Sequence, residues 1–201
     1  MARQPLTFRR LTGLDRSGPP PQETLRDAPW HVWTIPNMIG MVRLALIPVF
    51  LILALSSDEG TDALPAILFA VIAWADYADG IAARLTGQYS KFGALLDPIV
   101  DRTLVLAGII VVWNFETLPR WALLLLGLRE IVQLAYGNWA LRHGIDLKVN
   151  WWGRLGVWPA MSALFFALVG LETLAEILLY IGIAFMSIAT ALYIREGSTS
   201  R

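Results

Sequence analysis

Cysteine is absent from this 201-residue chain, and charge is scarce, with Asp, Glu, Lys and Arg making up 16% of it. The first absence excludes disulfides, thiolate zinc sites and cysteine nucleophiles, and it leaves the redox compartment open. The second sets the chain apart from soluble domains, in which about 25% of residues are charged. Histidine is limited to His31 and His143, both read as surface residues. Net charge is zero, so total charge says nothing about partners, and nucleic acid is not among those expected. The first apolar run begins only near residue 35, so no cleaved signal peptide is expected.

What is present is apolar. Hydrophobic residues make up 56% of the chain, and nine of its residues are tryptophan. Six apolar segments can be drawn, at about 36–57, 63–85, 93–114, 119–142, 152–171 and 173–195. Each is near the roughly 20 residues that a helix rising about 1.5 Å per residue needs to cross the hydrocarbon layer. Their length and lack of period-two alternation argue against strands. The fold class expected is therefore all-α integral membrane, with six transmembrane helices. Residues 1–33 read as a polar, partly helical cytoplasmic and interfacial tail, 34–195 as one transmembrane domain, and 196–201 as a short cytoplasmic tail.

Six spans put the tail, the 85–93 and 142–152 loops and the C-terminus on one side. That side carries Arg3, Arg9, Arg10, Arg16, Arg26, Arg84, Lys91, Arg142, Lys148, Arg154, Arg195 and Arg201, whereas the opposite loops hold Arg120 alone. The positive-inside rule then makes both termini cytoplasmic in a multi-pass protein of the cell membrane. Trp30, Trp33, Trp151 and Trp152 would lie at the inner interface, and Trp113 and Trp121 at the outer one. The tail arginines suit attraction to anionic lipid.

Against this background the stretch from Asp76 to Asp101 stands out, because it holds four aspartates. Asp76 and Asp79 stand three apart near the cytoplasmic end of the second segment, and Asp97 and Asp101 four apart at the start of the third. Either spacing puts a pair on one helix face. The short connection lets the two faces turn toward each other. Each intramembrane aspartate costs about 2.5–3.5 kcal/mol on the lenient insertion scale. Protonation offers partial relief, and divalent cations relieve the repulsion more completely. Hard oxygen donors without thiolates suit Mg2+ or Mn2+, and four carboxylates are enough for two ions. Two-metal sites recur in phosphoryl displacement. Gly80 and Gly93 would let a ligand approach the helix backbone, Arg84 offers a planar fork for phosphate, and Ser90 and Lys91 lie within reach of the same ligand. Each feature alone has a plainer reading. An aspartate pair can line a proton or ion path, glycines can serve helix packing, and Arg84 and Lys91 can serve topology alone.

The ordered set Asp76-x2-Asp79-Gly80-x2-Ala83-Arg84-x8-Gly93-x3-Asp97-x3-Asp101 resembles the signature of the CDP-alcohol phosphatidyltransferases at every fixed position. The resemblance covers about residues 34–195. It implies attack of an acceptor hydroxyl on the β-phosphorus of a CDP-linked lipid, with release of CMP. It further implies that Asp76 and Asp97 bridge two metal ions, that Asp79 completes the first site and Asp101 the second, and that Asp101 is the general base. Gly80, Ala83, Arg84, Ser90 and Gly93 match positions associated with the CDP-lipid. Asn37 is associated by resemblance with closing the nucleotide pocket, and its plainer reading is a helix cap after Pro36. Asn37 and Arg43 are both polar groups in an otherwise apolar first segment.

The first segment and "KFGALLDPIVDR" (91–102) look most like phosphatidylglycerophosphate synthases, which use glycerol 3-phosphate, and the related cardiolipin synthases, which use phosphatidylglycerol. Arg129, inside the fourth segment, is a candidate for the acceptor phosphate or a structural pair with another span; Lys148 and Arg154 are candidates for the acceptor or for topology. At the start of the fifth segment, "WGRLGVWPAM" (152–161) keeps Gly153 and Arg154 of a G-K-x-K-T-x-x-Q run but lacks its second lysine, threonine and glutamine. That departure raises cardiolipin synthesis, or an inositol-phosphate acceptor, beside glycerol 3-phosphate. Membrane lipids are expected partners and a homodimer the expected assembly. A secondary transporter using the aspartates as a relay is the rival from another class.

Overall fold

The computed structural model describes residues 30–86, 90–142 and 151–199, and the side chains at 84–85, 136–142, 151–155 and 189–199 fall outside that description. Among the described residues there are six helices and no strand: α1 Ile35–Leu55, α2 Ala63–Thr86, α3 Lys91–Asn114, α4 Arg120–Arg142, α5 Trp151–Leu168 and α6 Glu172–Thr199. The apolar segments and the helices agree to within a few residues at each end. Of the tail expected over 1–33, residues 1–29 lie outside the described residues.

Local chemistry sets the boundaries. Thr34 has extended backbone angles (φ −117°, ψ 155°), and its hydroxyl accepts the Asn37 amide at 3.3 Å. Pro36 sits in the first turn, where a missing N–H costs nothing. Thr34 is thus the cap of α1, and Asn37 is released for another task. Ser90 caps α3 in the same way, accepting the Gly93 amide at 3.0 Å. Helix α5 stops at Leu168, three residues short of the apolar run. Gly170 takes a positive φ of 76° there, and the Leu171 N–H reaches back to Phe166 O at 2.9 Å.

Helix α3 is the hub, packing against α1, α2, α4 and α5. Its buried side runs from Gly93 to Val112. Val100, Leu104 and Val111 are closed off completely, as are Phe50 of α1, Ile72 of α2 and Leu164 of α5. Phe50 and Phe69 lie 5.4 Å apart in a tilted pair. Helices α5 and α6 touch through small residues. A Cβ on Gly182 would lie 3.1 Å from the Ala160 nitrogen, and both Gly156 and Gly182 stand against the other's carbonyl. Small side chains of this kind let helix backbones approach where no water drives association.

The outside is also apolar. Val42, Ile52, Leu64, Ile67, Trp74, Leu124, Leu128, Ile131 and Trp158 are all exposed. Large apolar patches are rare on soluble monomers. Among the described residues, α1 (Ile35–Leu55) and the Ala63–Ala83 part of α2 are long and apolar enough to cross a membrane, with mean hydropathies of 2.5 and 1.5, and Gly156–Leu168 of α5 is a shorter apolar stretch. At the end of the bundle where α3 meets α4, Arg120 stands 5.4 Å over the Trp113 ring, and Trp121 stacks on Tyr180 at 5.7 Å.

Candidate active site

Helical periodicity alone puts Asp76 with Asp79 on α2 and Asp101 one turn after Asp97 on α3. The structure adds a cation from a third helix. Arg43 lies about 12 Å along α1 and reaches between the two aspartate pairs. Its Nη1 donates to Asp76 Oδ1 at 3.1 Å and to Asp79 Oδ2 at 3.0 Å, and its Nη2 to Asp101 Oδ1 at 2.8 Å. Its Nε donates to the Ile72 carbonyl at 3.0 Å, which fixes the plane of the guanidinium. Asp97 is not among the recipients of these bonds, but it feels the charges of Asp79, Asp101, Asp76 and Arg43. Its Oδ1 lies near Gly40, one turn before Arg43.

Exposure orders this centre from floor to rim. The Arg43 and Asp79 side chains are 2% and 8% exposed, whereas Asp76 and Asp101 are 48% and 47% exposed. One guanidinium facing four carboxylates leaves a surplus of negative charge, which is expensive where the groups are buried. As they stand, no three carboxylate or imidazole groups among the described residues are gathered closely enough to ligate one ion; the aspartates are spread around Arg43 instead. In kind, the set fits a hard divalent cation: oxygen donors only, surplus negative charge, and an accessible rim.

Beside it, Asn37 ties the start of α1 to the start of α3. Its Nδ2 donates to His31 O at 2.8 Å, Val32 O at 3.0 Å and Ser90 Oγ at 2.9 Å. Ser90 Oγ and Asn37 Oδ1 are 3.2 Å apart, so the pair can also exchange a bond in the other sense. Gly93 is needed for this contact, since a Cβ there would come within 2.4 Å of Asn37 Oδ1. Three residues associated from the sequence with the CDP-lipid therefore have partners inside the protein, and the space at Gly93 is taken by a side chain. Gly80 and Ala83 follow Asp79 on α2, and both are partly buried. The side chains of Arg84 and Arg154, and Lys148 as a whole, lie outside the described residues.

A second polar cluster lies on the α4 side of α3. Arg102 Nη1 donates to Glu130 Oε2 at 2.8 Å and to Gln133 Oε1 at 2.7 Å. Arg129 Nη1 pairs with the other Glu130 oxygen. Glu130 is buried, and the Nε atoms of both arginines are buried without a hydrogen-bond partner. Arg129's own ion pair is with its neighbour Glu130 on α4, and only through Glu130 does it join Arg102 of α3; among the described residues the cluster holds two guanidiniums to one carboxylate.

Sequence reasoning gave no role to Arg43, Arg102 or Gln133. A lone arginine in an otherwise apolar helix was the available signal for Arg43, and the residue directly after Asp101 for Arg102.

A family model described as CDP-alcohol phosphatidyltransferase matches residues 33–188. Among similar proteins, the cardiolipin synthase (CMP-forming) of Streptomyces coelicolor is 35% identical over 169 residues, covering 81% of this chain and 79% of its own. The CDP-diacylglycerol–glycerol-3-phosphate 3-phosphatidyltransferase of Bacillus subtilis is 29% identical over 144 residues, covering 66% of this chain and 75% of its own. A protein of the same description from Haemophilus influenzae is 31% identical over 183 residues, covering 83% of this chain and 95% of its own.

Proposed function

This chain belongs to the CDP-alcohol phosphatidyltransferase family, and from that premise we propose that it transfers the phosphatidyl group of CDP-diacylglycerol to the hydroxyl of glycerol 3-phosphate. The acceptor oxygen forms a bond to the β-phosphorus, the bond from that phosphorus to the CMP oxygen breaks, and CMP leaves. The observation that carries this reading is the meeting of the signature aspartates from α2 and α3 around one buried guanidinium, with negative charge left over at an accessible rim.

Asp76, Asp79, Asp97 and Asp101 are the residues that would hold two divalent cations, Mg2+ or Mn2+. When bound, these supply charge neutralisation at the attacking and leaving oxygens. Asp101, on the rim, accepts the proton of the acceptor hydroxyl. Arg84 holds the diphosphate through its fork, while Gly80 and Ala83 keep the α2 surface low beneath it. The Asn37, Ser90 and Gly93 contact forms a wall by fixing α1 against α3. Arg129, with Lys148 and Arg154, takes the acceptor phosphate, and the unbalanced cation in the Arg102–Glu130 cluster supports that role.

The setting proposed is the cell membrane, crossed six times with both termini cytoplasmic, and a homodimer as the assembly. The apolar exteriors of α1, α2, α4 and α5 and the basic bias of one set of loops support the topology. An apolar groove of about 300 Å³ lined by Met38, Val42, Val71, Ile72 and Ala75 runs beside Arg43. It suits a donor whose acyl chains stay in hydrocarbon while its diphosphate reaches the aspartates.

A second acceptor has a specific observation behind it. Cardiolipin synthesis from phosphatidylglycerol is favoured by the 35% identity to the Streptomyces protein and by the missing lysine, threonine and glutamine in 152–161. Incubating the purified protein with CDP-diacylglycerol, Mg2+ or Mn2+ and each acceptor in turn, with lipid products identified by mass, separates the two. Phosphatidylglycerophosphate supports the first reading and cardiolipin the second. Substrate flux across proteoliposomes without CMP would instead favour a transporter.

A further inference from the structure

Arg43 belongs to no part of the family signature between Asp76 and Asp101, yet among the described residues its guanidinium bonds three of the four aspartates. It is also the floor of the centre: the guanidinium is 2% exposed, while Asp76 and Asp101 above it are about half open. A buried arginine with only apolar neighbours would be costly, and here all three of its nitrogens are engaged. Each bonded carboxylate gives Arg43 one oxygen, namely Asp76 Oδ1, Asp79 Oδ2 and Asp101 Oδ1. Holding one oxygen of a planar carboxylate fixes where the other can point. The Nε bond to Ile72 O anchors the fork to the α2 backbone one turn before Asp76, so the fork cannot swing freely.

We propose that Arg43 is a positioning residue for this centre: its buried fork grips Asp76, Asp79 and Asp101 from below and turns their remaining oxygens toward the metal and substrate side. The proposal rests on the metal-holding role given above to the four aspartates. It carries a sign that separates it from the opposite role. A guanidinium that merely fills the cation position competes with a metal, so removing it tightens metal binding. A guanidinium that orients the ligands from beneath assists the metal, so removing it loosens binding even though a repelling positive charge has gone. Lysine distinguishes charge from geometry, because one ammonium on a flexible stem keeps the charge but cannot hold three carboxylates in a fixed plane.

The test is Mn2+ binding to the full-length protein in detergent, without substrate, read by electron paramagnetic resonance of free Mn2+ for wild type, Arg43→Lys and Arg43→Gln. Far-UV circular dichroism and size-exclusion profiles accompany each variant. The expected result is at least a tenfold weaker Mn2+ affinity in both variants. If Arg43→Gln does not fold, Arg43→Lys alone decides, and it still shows the tenfold loss. Unchanged or tighter binding in either folded variant overturns the proposal. A wild type that takes up no Mn2+ rejects the metal role of the aspartates itself, and the positioning role falls with it. A wild type that binds while Arg43→Lys binds equally well rejects the positioning role alone.

Discussion

Among the described residues, two charge centres with buried floors flank α3, and they are opposite in sign. On the α1 and α2 side, one guanidinium faces four aspartates. On the α4 side, two guanidiniums share the single carboxylate of Glu130. The chain passes from one centre to the other between adjacent residues, Asp101 and Arg102, because successive side chains on a helix are about 100° apart. One side is thus left wanting cations and the other an anion. On the proposed function, the negative side would take the cations and the positive side the acceptor phosphate, with α3 between them.

The contrast can be broken in several ways. The largest effect is expected from Asp101→Asn, which removes the proton acceptor proposed for the negative side: turnover falls by about 10²–10⁴-fold, while the thermal melt in detergent changes little because this side chain is half open. On the positive side the expected effect is on stability. Glu130→Gln leaves Arg102 and Arg129 facing each other without a buried counter-charge, and the cost is about 3–5 kcal/mol, read as a lower melting temperature. Pairing it with Arg102→Met restores part of that loss, because the remaining charge is single again.

A smaller effect separates binding on the two sides. Arg129→Gln raises KM for the phosphate-bearing acceptor by about tenfold, the loss of one charge-assisted contact worth roughly 1.5 kcal/mol, and leaves KM for CDP-diacylglycerol unchanged. Equal rises in both would place Arg129 in general scaffolding. At the seam between α1 and α3, Gly93→Ala forces a methyl against Asn37 Oδ1 and costs about 1–3 kcal/mol. Adding Asn37→Ala recovers much of this, since the clash partner is gone. Thr34→Ala is the mildest, costing about 1 kcal/mol for the lost cap of α1, read in the same melting experiment.

The sequence made the scaffold legible because apolar runs of membrane-spanning length leave little freedom in where helices begin and end. The aspartates were legible for a similar reason, since a spacing of three or four residues has one meaning on a helix. What was hidden depended on contacts between distant residues. Arg43 finds its carboxylates 33, 36 and 58 positions away, and nothing local to α1 names them. Asn37 is 53 positions from Ser90, so a cap after Pro36 was the nearer reading, and Thr34 turned out to fill that role. Gly93 read either as room for a ligand or as a site of helix packing. Only the packing of α1 on α3 shows that Asn37 occupies the space.

The most direct measurement of the whole reading is CMP release by the purified protein supplied with CDP-diacylglycerol, Mg2+ and glycerol 3-phosphate or phosphatidylglycerol, compared with its Asp101→Asn variant. The expected result is CMP formed in step with a new phospholipid by the wild type, and at least a hundredfold less by the variant. No CMP with either acceptor, or undiminished CMP from a folded Asp101→Asn protein, would contradict it.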